Sequence, residues 1–197
     1  MRDARRMLSS VRHAVGDLVA WLWITTAIVW VVLAFGNKRT VARRGLTGLI
    51  PVVAVAVILL TPTSLRRSGL RHQLWNSSPP LCLIALAFVA SGSVFAIWAR
   101  LAIGRNWSST VTLKQDHELI RRGPYALVRH PIYTGLLSMC VGTMVLTGLV
   151  ESVGVVTVGI VYVVFKVRDE ERLMSETFPA QYPEYCRTVK AIIPFIL

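Results

Sequence analysis

The side chains best suited to binding or catalysis are concentrated in residues 104–133, which read GRNWSSTVTLKQDHELIRRGPYALVRHPIY. This stretch lies between two apolar blocks, and a plain connecting loop is usually shorter and carries fewer such groups. The stretch therefore predicts a functional site. Its polar and aromatic candidates are Asn106, Trp107, His117, Tyr125, Arg129, His130 and Tyr133.

Arg129 and His130 directly precede a predicted helix. Gly123-Pro124 is typical of a turn, and Pro131 is favoured in the first turn of a helix. The backbone N–H groups and the dipole at a helix start favour an anion. The sequence therefore places this pair where an anionic group would bind.

A second polar stretch covers residues 166–187 and reads KVRDEERLMSETFPAQYPEYCR. Glu170 and Glu171 lie in it, beside Arg168 and Arg172. Adjacent side chains on a helix point about 100° apart. We therefore expect only one of the two glutamates to face a given site.

The rest of the chain is largely apolar. Of its 197 residues, 54% are hydrophobic, and the mean hydropathy is +0.56. The Lys and Arg residues behind the net charge of +12 sit at the ends of apolar blocks, where they anchor helices and attract anionic lipid headgroups. Membrane lipids are therefore predicted partners and nucleic acid is not. The three cysteines show no CxxC or Cys/His spacing, so no metal site is predicted.

A helix that spans a bilayer needs about twenty apolar residues. The chain offers five blocks near this length, and only Glu151 separates the last two, which predicts a tight helical hairpin. The fold class is therefore all-α, a polytopic membrane protein with five transmembrane helices and a short cytoplasmic helical segment at the C-terminus. Helices one to three fall in residues 1–99, and residues 100–197 hold the candidate site with helices four and five. The blocks are residues 18–35, 46–61, 79–101, 131–150 and 152–165, the last continuing as a helix to Met174.

The distribution of basic residues predicts the orientation in the membrane. The 36–45 loop, the 100–130 loop and the C-terminal tail carry 15 of the 22 Lys and Arg residues, and the N-terminus and the 62–78 loop carry the other 7. The first set is predicted to face the cytoplasm, together with the active site. Four arginines near the N-terminus conflict with placing that end outside.

In order along the chain, GRNWS, HELIRRGPYALVRHPIYTG and DEERLMSETFPAQYPEY strongly resemble the isoprenylcysteine carboxyl methyltransferase family. This family belongs to a broader set of integral-membrane methyltransferases that includes phospholipid N-methyltransferases. The resemblance covers about residues 100–187, through the elements G-x-x-W-S, H-x-L, G-x-Y-x-x-x-R-H-P-x-Y and E-E-x-x-[LM]. Phe178-Pro179 departs from the Phe-Gly that is common in relatives.

The resemblance implies S-adenosylmethionine as cofactor, bound by the segment after helix three, the start of helix four and the C-terminal helix. One glutamate would meet the ammonium group of its methionine part. The resemblance assigns catalysis to Arg129, His130 and Glu171, and cofactor binding to His117, Leu119, Tyr125, His130, Pro131, Tyr133, Glu170 and Glu171.

The implied reaction is in-line attack of a lipophilic acceptor on the sulfonium methyl group. A carboxylate acceptor, such as that of a prenylcysteine, needs no general base. An amine or thiol acceptor would need His130, His117 or a glutamate to remove a proton. The acceptor, a small molecule or a lipid-modified one, would enter from the bilayer and the cofactor from the cytoplasm.

Two other function classes share features of this sequence. Membrane sterol-type reductases, which use NADPH, have a similar R-H-x-x-Y-x-G arrangement, although they are usually longer and have more spans. The second alternative is a non-catalytic membrane scaffold that keeps a vestigial pocket. Taken alone, Arg129 and His130 also fit an interfacial pair at a helix start.

Overall fold

The computed structural model describes residues 2–35, 40–44, 72–104, 107, 111–114 and 119–194. This part of the chain is mainly helical, as predicted, and it also contains two short strands and a 3₁₀ helix at Gly123–Ala126. The longer elements are α1 (Arg2–Ala34), β1 (Thr40–Arg44), α2 (Pro79–Ile103), β2 (Val111–Lys114), α3 (Pro131–Thr147), α4 (Val150–Thr177) and α5 (Gln181–Thr188).

Three of these helices are long and apolar enough to cross a membrane: the Ser9–Leu33 part of α1, and all of α2 and α4. Helix α3 is apolar but shorter, at 17 residues. The predicted second span, residues 46–61, lies outside the described residues. These helices identify the chain as an integral membrane protein. The count of five membrane spans stays a prediction.

The two strands were not predicted, because runs of four and five residues are too short to show a clear alternation. Strand β1 pairs antiparallel with β2, and Arg44 lies opposite Val111. The pairing joins the segment after α1 to the segment after α2. It agrees with the prediction that both loops lie on the same side of the membrane.

Small residues allow α2 and α3 to pack closely. A Cβ atom added to Gly135 would lie 2.6 Å from the carbonyl oxygen of Gly92, and one added to Gly142 would lie 2.7 Å from that of Ala85. Such close backbone contact is typical of helix pairs in membranes. Small residues let the two backbones approach, and the many van der Waals contacts between them stabilise the pair. Helix α1 packs on α2 through a hydrogen bond of 2.7 Å between Thr26 and Ser93.

The connection between α3 and α4 differs from the prediction in its details. The sequence placed the turn at Glu151, but α3 ends at Thr147, and Gly148 adopts the left-handed conformation with φ +64°. Leu149 precedes α4, so Glu151 lies in the first turn of that helix. Glycine closes a helix in this conformation at little cost, which is why the turn forms there.

Candidate functional site

Two carboxylates from α4 meet the imidazole of His130. This residue immediately precedes α3 and only 8% of its surface is exposed. Its Nδ1 atom lies 3.4 Å from Oε2 of Glu170, and its Nε2 atom lies 3.3 Å from Oε1 of Glu171. The ring therefore bridges two carboxylates near the end of α4.

The expectation that only one of these glutamates faces the site is wrong. Their Cα–Cβ directions do differ, but each side chain is long, and the two imidazole nitrogens lie on opposite edges of the ring. His130 therefore contacts Glu170 with one edge and Glu171 with the other.

Arg129 holds Glu171 from the other side. Its Nε and Nη2 atoms donate to Oε1 of Glu171 at 2.9 and 2.6 Å. Its Nη1 atom donates to the main-chain oxygens of Val189 and, at 3.4 Å, Cys186. Within the described part of the chain, the side-chain contacts on Glu171 all fall on Oε1, so Oε2 can accept hydrogen bonds from a bound ammonium group.

Tyr133 and Lys166 complete the surroundings of Glu170. The Tyr133 hydroxyl donates to Oε1 of Glu170 at 2.6 Å, and its ring stacks on that of His130 with centroids 5.9 Å apart. The Nζ atom of Lys166 lies 3.9 Å from the same oxygen, and Lys166 is only 2% exposed. The sequence analysis missed Lys166, although its place four residues before Glu170 puts it on the same helix face.

The other predicted site residues lie at different distances from this cluster. Pro131 begins α3 and is fully buried. Tyr125 is buried in the 3₁₀ helix, and the charge of Glu170 raises its pKa. Leu119 is half-buried in the segment before that helix, so its contact with a cofactor stays a prediction. His117 lies outside the described residues.

The main-chain N–H groups just before α3 have protein partners. The N–H of Arg129 donates to the carbonyl of Lys190 at 2.8 Å, and that of His130 donates to Ala191 at 2.9 Å. These two groups are therefore satisfied within the protein, and the expectation that an anion binds at the start of α3 stays a prediction. Main-chain carbonyls leave no signature in a sequence, so this contact could not have been foreseen.

The surroundings of His130 favour its protonated form. Burial alone lowers the pKa of His130, but hydrogen bonds and charges from Glu170 and Glu171 outweigh burial and raise that pKa above its ordinary value. Both ring nitrogens can donate to these carboxylates only when both carry a proton. The site therefore brings Arg129, Lys166 and a His130 whose protonated form is favoured together with Glu170 and Glu171.

Burial also raises the pKa of Tyr125, and the charge of Glu170 raises it further. The phenol therefore remains neutral at any physiological pH. It can act as a hydrogen-bond donor or an aromatic wall, not as a base.

The apolar helices and this buried charged cluster define a helical membrane protein with a polar site at one end of its helices. Residues 84–176 match the family model of the isoprenylcysteine carboxyl methyltransferase (ICMT) family. The matched range includes His130, Glu170 and Glu171, but not α5 or the residues after it. The family resemblance predicted from the motifs is therefore confirmed.

Three curated relatives illustrate the match. Protein-S-isoprenylcysteine O-methyltransferase B of Arabidopsis thaliana is 29% identical over 133 residues, which cover 65% of this chain and 64% of that protein. Protein-S-isoprenylcysteine O-methyltransferase of Saccharomyces cerevisiae is 35% identical over 130 residues, 62% of this chain and 53% of its own length. The cobalt-zinc-cadmium resistance protein CzcN of Cupriavidus metallidurans is 29% identical over 131 residues, which cover 62% of this chain and 55% of that protein. The chain thus spans between about half and just under two thirds of the length of these relatives.

Proposed function

We propose that this protein is an integral-membrane methyltransferase that uses S-adenosylmethionine to methylate the carboxylate of a lipophilic, prenylcysteine-like acceptor. The observation that carries the proposal is the position of His130 between Glu170 and Glu171. The names of the Arabidopsis and yeast relatives support the same activity.

The charge state of the site distinguishes between classes of acceptor. An amine or thiol acceptor needs a base to remove its proton. A histidine whose pKa is raised is a poorer proton acceptor near neutral pH, and Arg129 and His130 stabilise Glu171 as a carboxylate, the weaker base. A carboxylate acceptor needs no base, because it is already deprotonated and can attack directly as an anion. The geometry therefore favours a carboxylate over an amine or a thiol.

The residues present fit the chemical groups of S-adenosylmethionine. When bound, this cofactor supplies an electrophilic methyl group on a sulfonium. Glu171 Oε2 would hold its ammonium group, and Tyr125 and Tyr133 offer aromatic faces for the adenine or the sulfonium. Leu119 and Pro131 would line the apolar side, and His117 would lie near the cofactor by the family motif.

Lys166 supplies the charge that a carboxylate acceptor would need. It lies one helical turn nearer the apolar part of α4 than Glu170, and it is buried. An acceptor that enters sideways between helices would bring its carboxylate to this ammonium group, while the cofactor enters from the cytoplasm. The different name of the CzcN relative indicates that the acceptor has to be tested directly.

The proposal includes the membrane arrangement. Five spans, a hairpin of the last two and a cytoplasmic site agree with the three long apolar helices, the shorter α3 and the basic residues around the site. A sterol-type reductase is not favoured, because the Arabidopsis and yeast relatives are named as methyltransferases.

A labelled-methyl assay tests the proposal. The purified protein should transfer the methyl group of S-adenosylmethionine to an N-acylated prenylcysteine and form a base-labile ester. The matched control is the same compound with its carboxylate replaced by a carboxamide, which should stay unlabelled. S-adenosylhomocysteine at a hundred times its Kd should add about 2.7 kcal/mol to the free energy of unfolding. No stabilisation by this ligand, together with stabilisation by NADPH, would support the reductase instead.

A further inference from the structure

Four consecutive main-chain carbonyls near the C-terminus hold the segment that carries His130. We call residues 189–192 the C-terminal clasp. The carbonyl of Val189 accepts from Arg129 Nη1, that of Lys190 from the Arg129 N–H, and that of Ala191 from the His130 N–H. The carbonyl of Ile192 accepts from the Thr134 hydroxyl at 2.7 Å. Every carbonyl of the clasp thus has a donor in residues 129–134.

Helix α5 anchors the clasp against the rest of the site. The Tyr185 hydroxyl donates to the carbonyl of Tyr125, and Arg121 Nη2 donates to the carbonyl of Gln181 at 2.7 Å. Tyr185 is buried, with only 4% of its surface exposed. The clasp therefore begins from a helix that is itself bonded to the 3₁₀ helix and the residues before it.

His130 needs such support because it lies outside the regular part of α3. Its backbone has φ −123° and ψ 59°, which is not helical. The Glu170 and Glu171 side chains restrain its ring, but the clasp restrains its main chain. A ring that contacts two carboxylates on opposite edges tolerates little displacement, since hydrogen bonds weaken quickly with distance and angle.

We propose that the C-terminal clasp is a positioning element of the active site, which holds His130 between Glu170 and Glu171. Thr134 and Arg129 are its positioning residues. Arg129 directs its guanidinium to Glu171 and to main-chain oxygens of the clasp and α5, so it acts through Glu171 and the clasp rather than on the reacting atoms. The effect of the clasp on ligand binding rests on the proposed methyltransferase function.

The experiment compares one truncated chain and two full-length substitution variants in detergent. Truncation after Thr188 removes the clasp, and Thr134→Val removes one donor with little change in shape. Thr157→Val is the matched control, because the Thr157 hydroxyl donates to the carbonyl of Val153 in its own helix and its residue is exposed. The readouts are the Kd for S-adenosylhomocysteine and the pH titration of the His130 ring by NMR, with His130→Gln to identify its signal.

The truncated chain should bind S-adenosylhomocysteine at least about tenfold more weakly, and Thr134→Val about fivefold more weakly, the effect of losing one hydrogen bond. Both should shift the His130 titration toward lower pH, because weaker contacts with Glu170 and Glu171 stabilise the imidazolium less. Thr157→Val should change neither readout. A purely structural role would lower the melting temperature and leave the titration of the folded protein unchanged.

Wild-type Kd and titration in a folded truncated chain would overturn the proposal. If that chain does not fold, Thr134→Val decides, and equal results for Thr134→Val and Thr157→Val would overturn it. If the wild-type protein itself fails to bind S-adenosylhomocysteine, the proposed function fails, and the His130 titration alone still tests the clasp.

Discussion

At the scale of single residues, the site is a compact network of alternating charges. Arg129, Glu171, His130 and Glu170 follow one another through contacts of 2.6 to 3.4 Å, and each charge has an opposite charge beside it. Buried charges are tolerated only when they are paired in this way. The network therefore positions His130 and favours its protonated form.

Replacing His130 should separate a binding role from simple anchoring at the membrane interface. His130→Gln keeps a polar side chain of similar size but removes the cation between the glutamates. We expect a loss of about 2 kcal/mol in the free energy of unfolding, because hydrogen bonds to charged groups are lost, and at least about tenfold weaker binding of S-adenosylhomocysteine. Calorimetric titration of the folded variant measures the binding. The matched control His72→Gln changes an exposed histidine and should leave both values unaltered.

The charge of His130 predicts a pH dependence of stability. Its pKa in the folded protein lies above the ordinary value of 6.5. The stabilisation is therefore complete below about pH 6.5 and is lost as the pH rises through the folded-state pKa. The groups that face the ring are Glu170, Glu171 and Tyr133, with Arg129 and Lys166 bound to the same carboxylates.

Thermal unfolding of the wild type and His130→Gln, measured from about pH 6 to about pH 9, checks this dependence. The difference between their melting temperatures should shrink as the pH rises. A difference that stays constant over this range would show that the pKa of His130 is not raised in the folded protein.

At the scale of elements, the position of the site depends on how closely α2 and α3 approach. A methyl group at Gly142 would lie 2.7 Å from both the carbonyl oxygen of Ala85 and Cγ2 of Val89. Gly142→Ala should therefore lower the free energy of unfolding by about 1–3 kcal/mol, as overpacking does. The control Gly154→Ala adds a methyl group where no atom lies within 4 Å, and it should be neutral or stabilising by up to about 1 kcal/mol. Equal melting temperatures for the two variants would contradict this packing.

The elements were predictable where one local signal decides them. Pro79-Pro80 and Pro131 predicted the starts of α2 and α3 correctly, because proline suits the first turn of a helix. The end of α3 was predicted three residues late, since Val150 is apolar and only the conformation of Gly148 stops the helix. The β1–β2 pair joins segments about seventy residues apart, and no local pattern reports a contact of that kind.

At the scale of the whole molecule, the sequence predicted which polar segments form the site but not how they are connected. The motifs brought Arg129, His130, Tyr133, Glu170 and Glu171 forward as candidates, and these side chains do meet. The clasp was missed because it acts through carbonyls that every residue possesses. Lys166 was missed because a lysine at a membrane helix end is usually an interfacial anchor.

The arrangement of α4 makes the orientation in the membrane testable. Glu151 and Ser175 are both exposed and lie 24 residues apart on this helix, so about 36 Å separates them. With the site facing the cytoplasm, a single cysteine at Ser175 should react with a membrane-impermeant maleimide only after intact cells are permeabilised. A single cysteine at Glu151 should react from outside without permeabilisation.

Cys82, Cys140 and Cys186 must first be replaced by alanine, because free thiols would add background labelling. The expected pattern follows from the excess of basic residues around the site, which retains those segments on the cytoplasmic side. The reverse pattern, with Ser175 labelled from outside, would place the site on the opposite face and exclude a cytoplasmic source of S-adenosylmethionine.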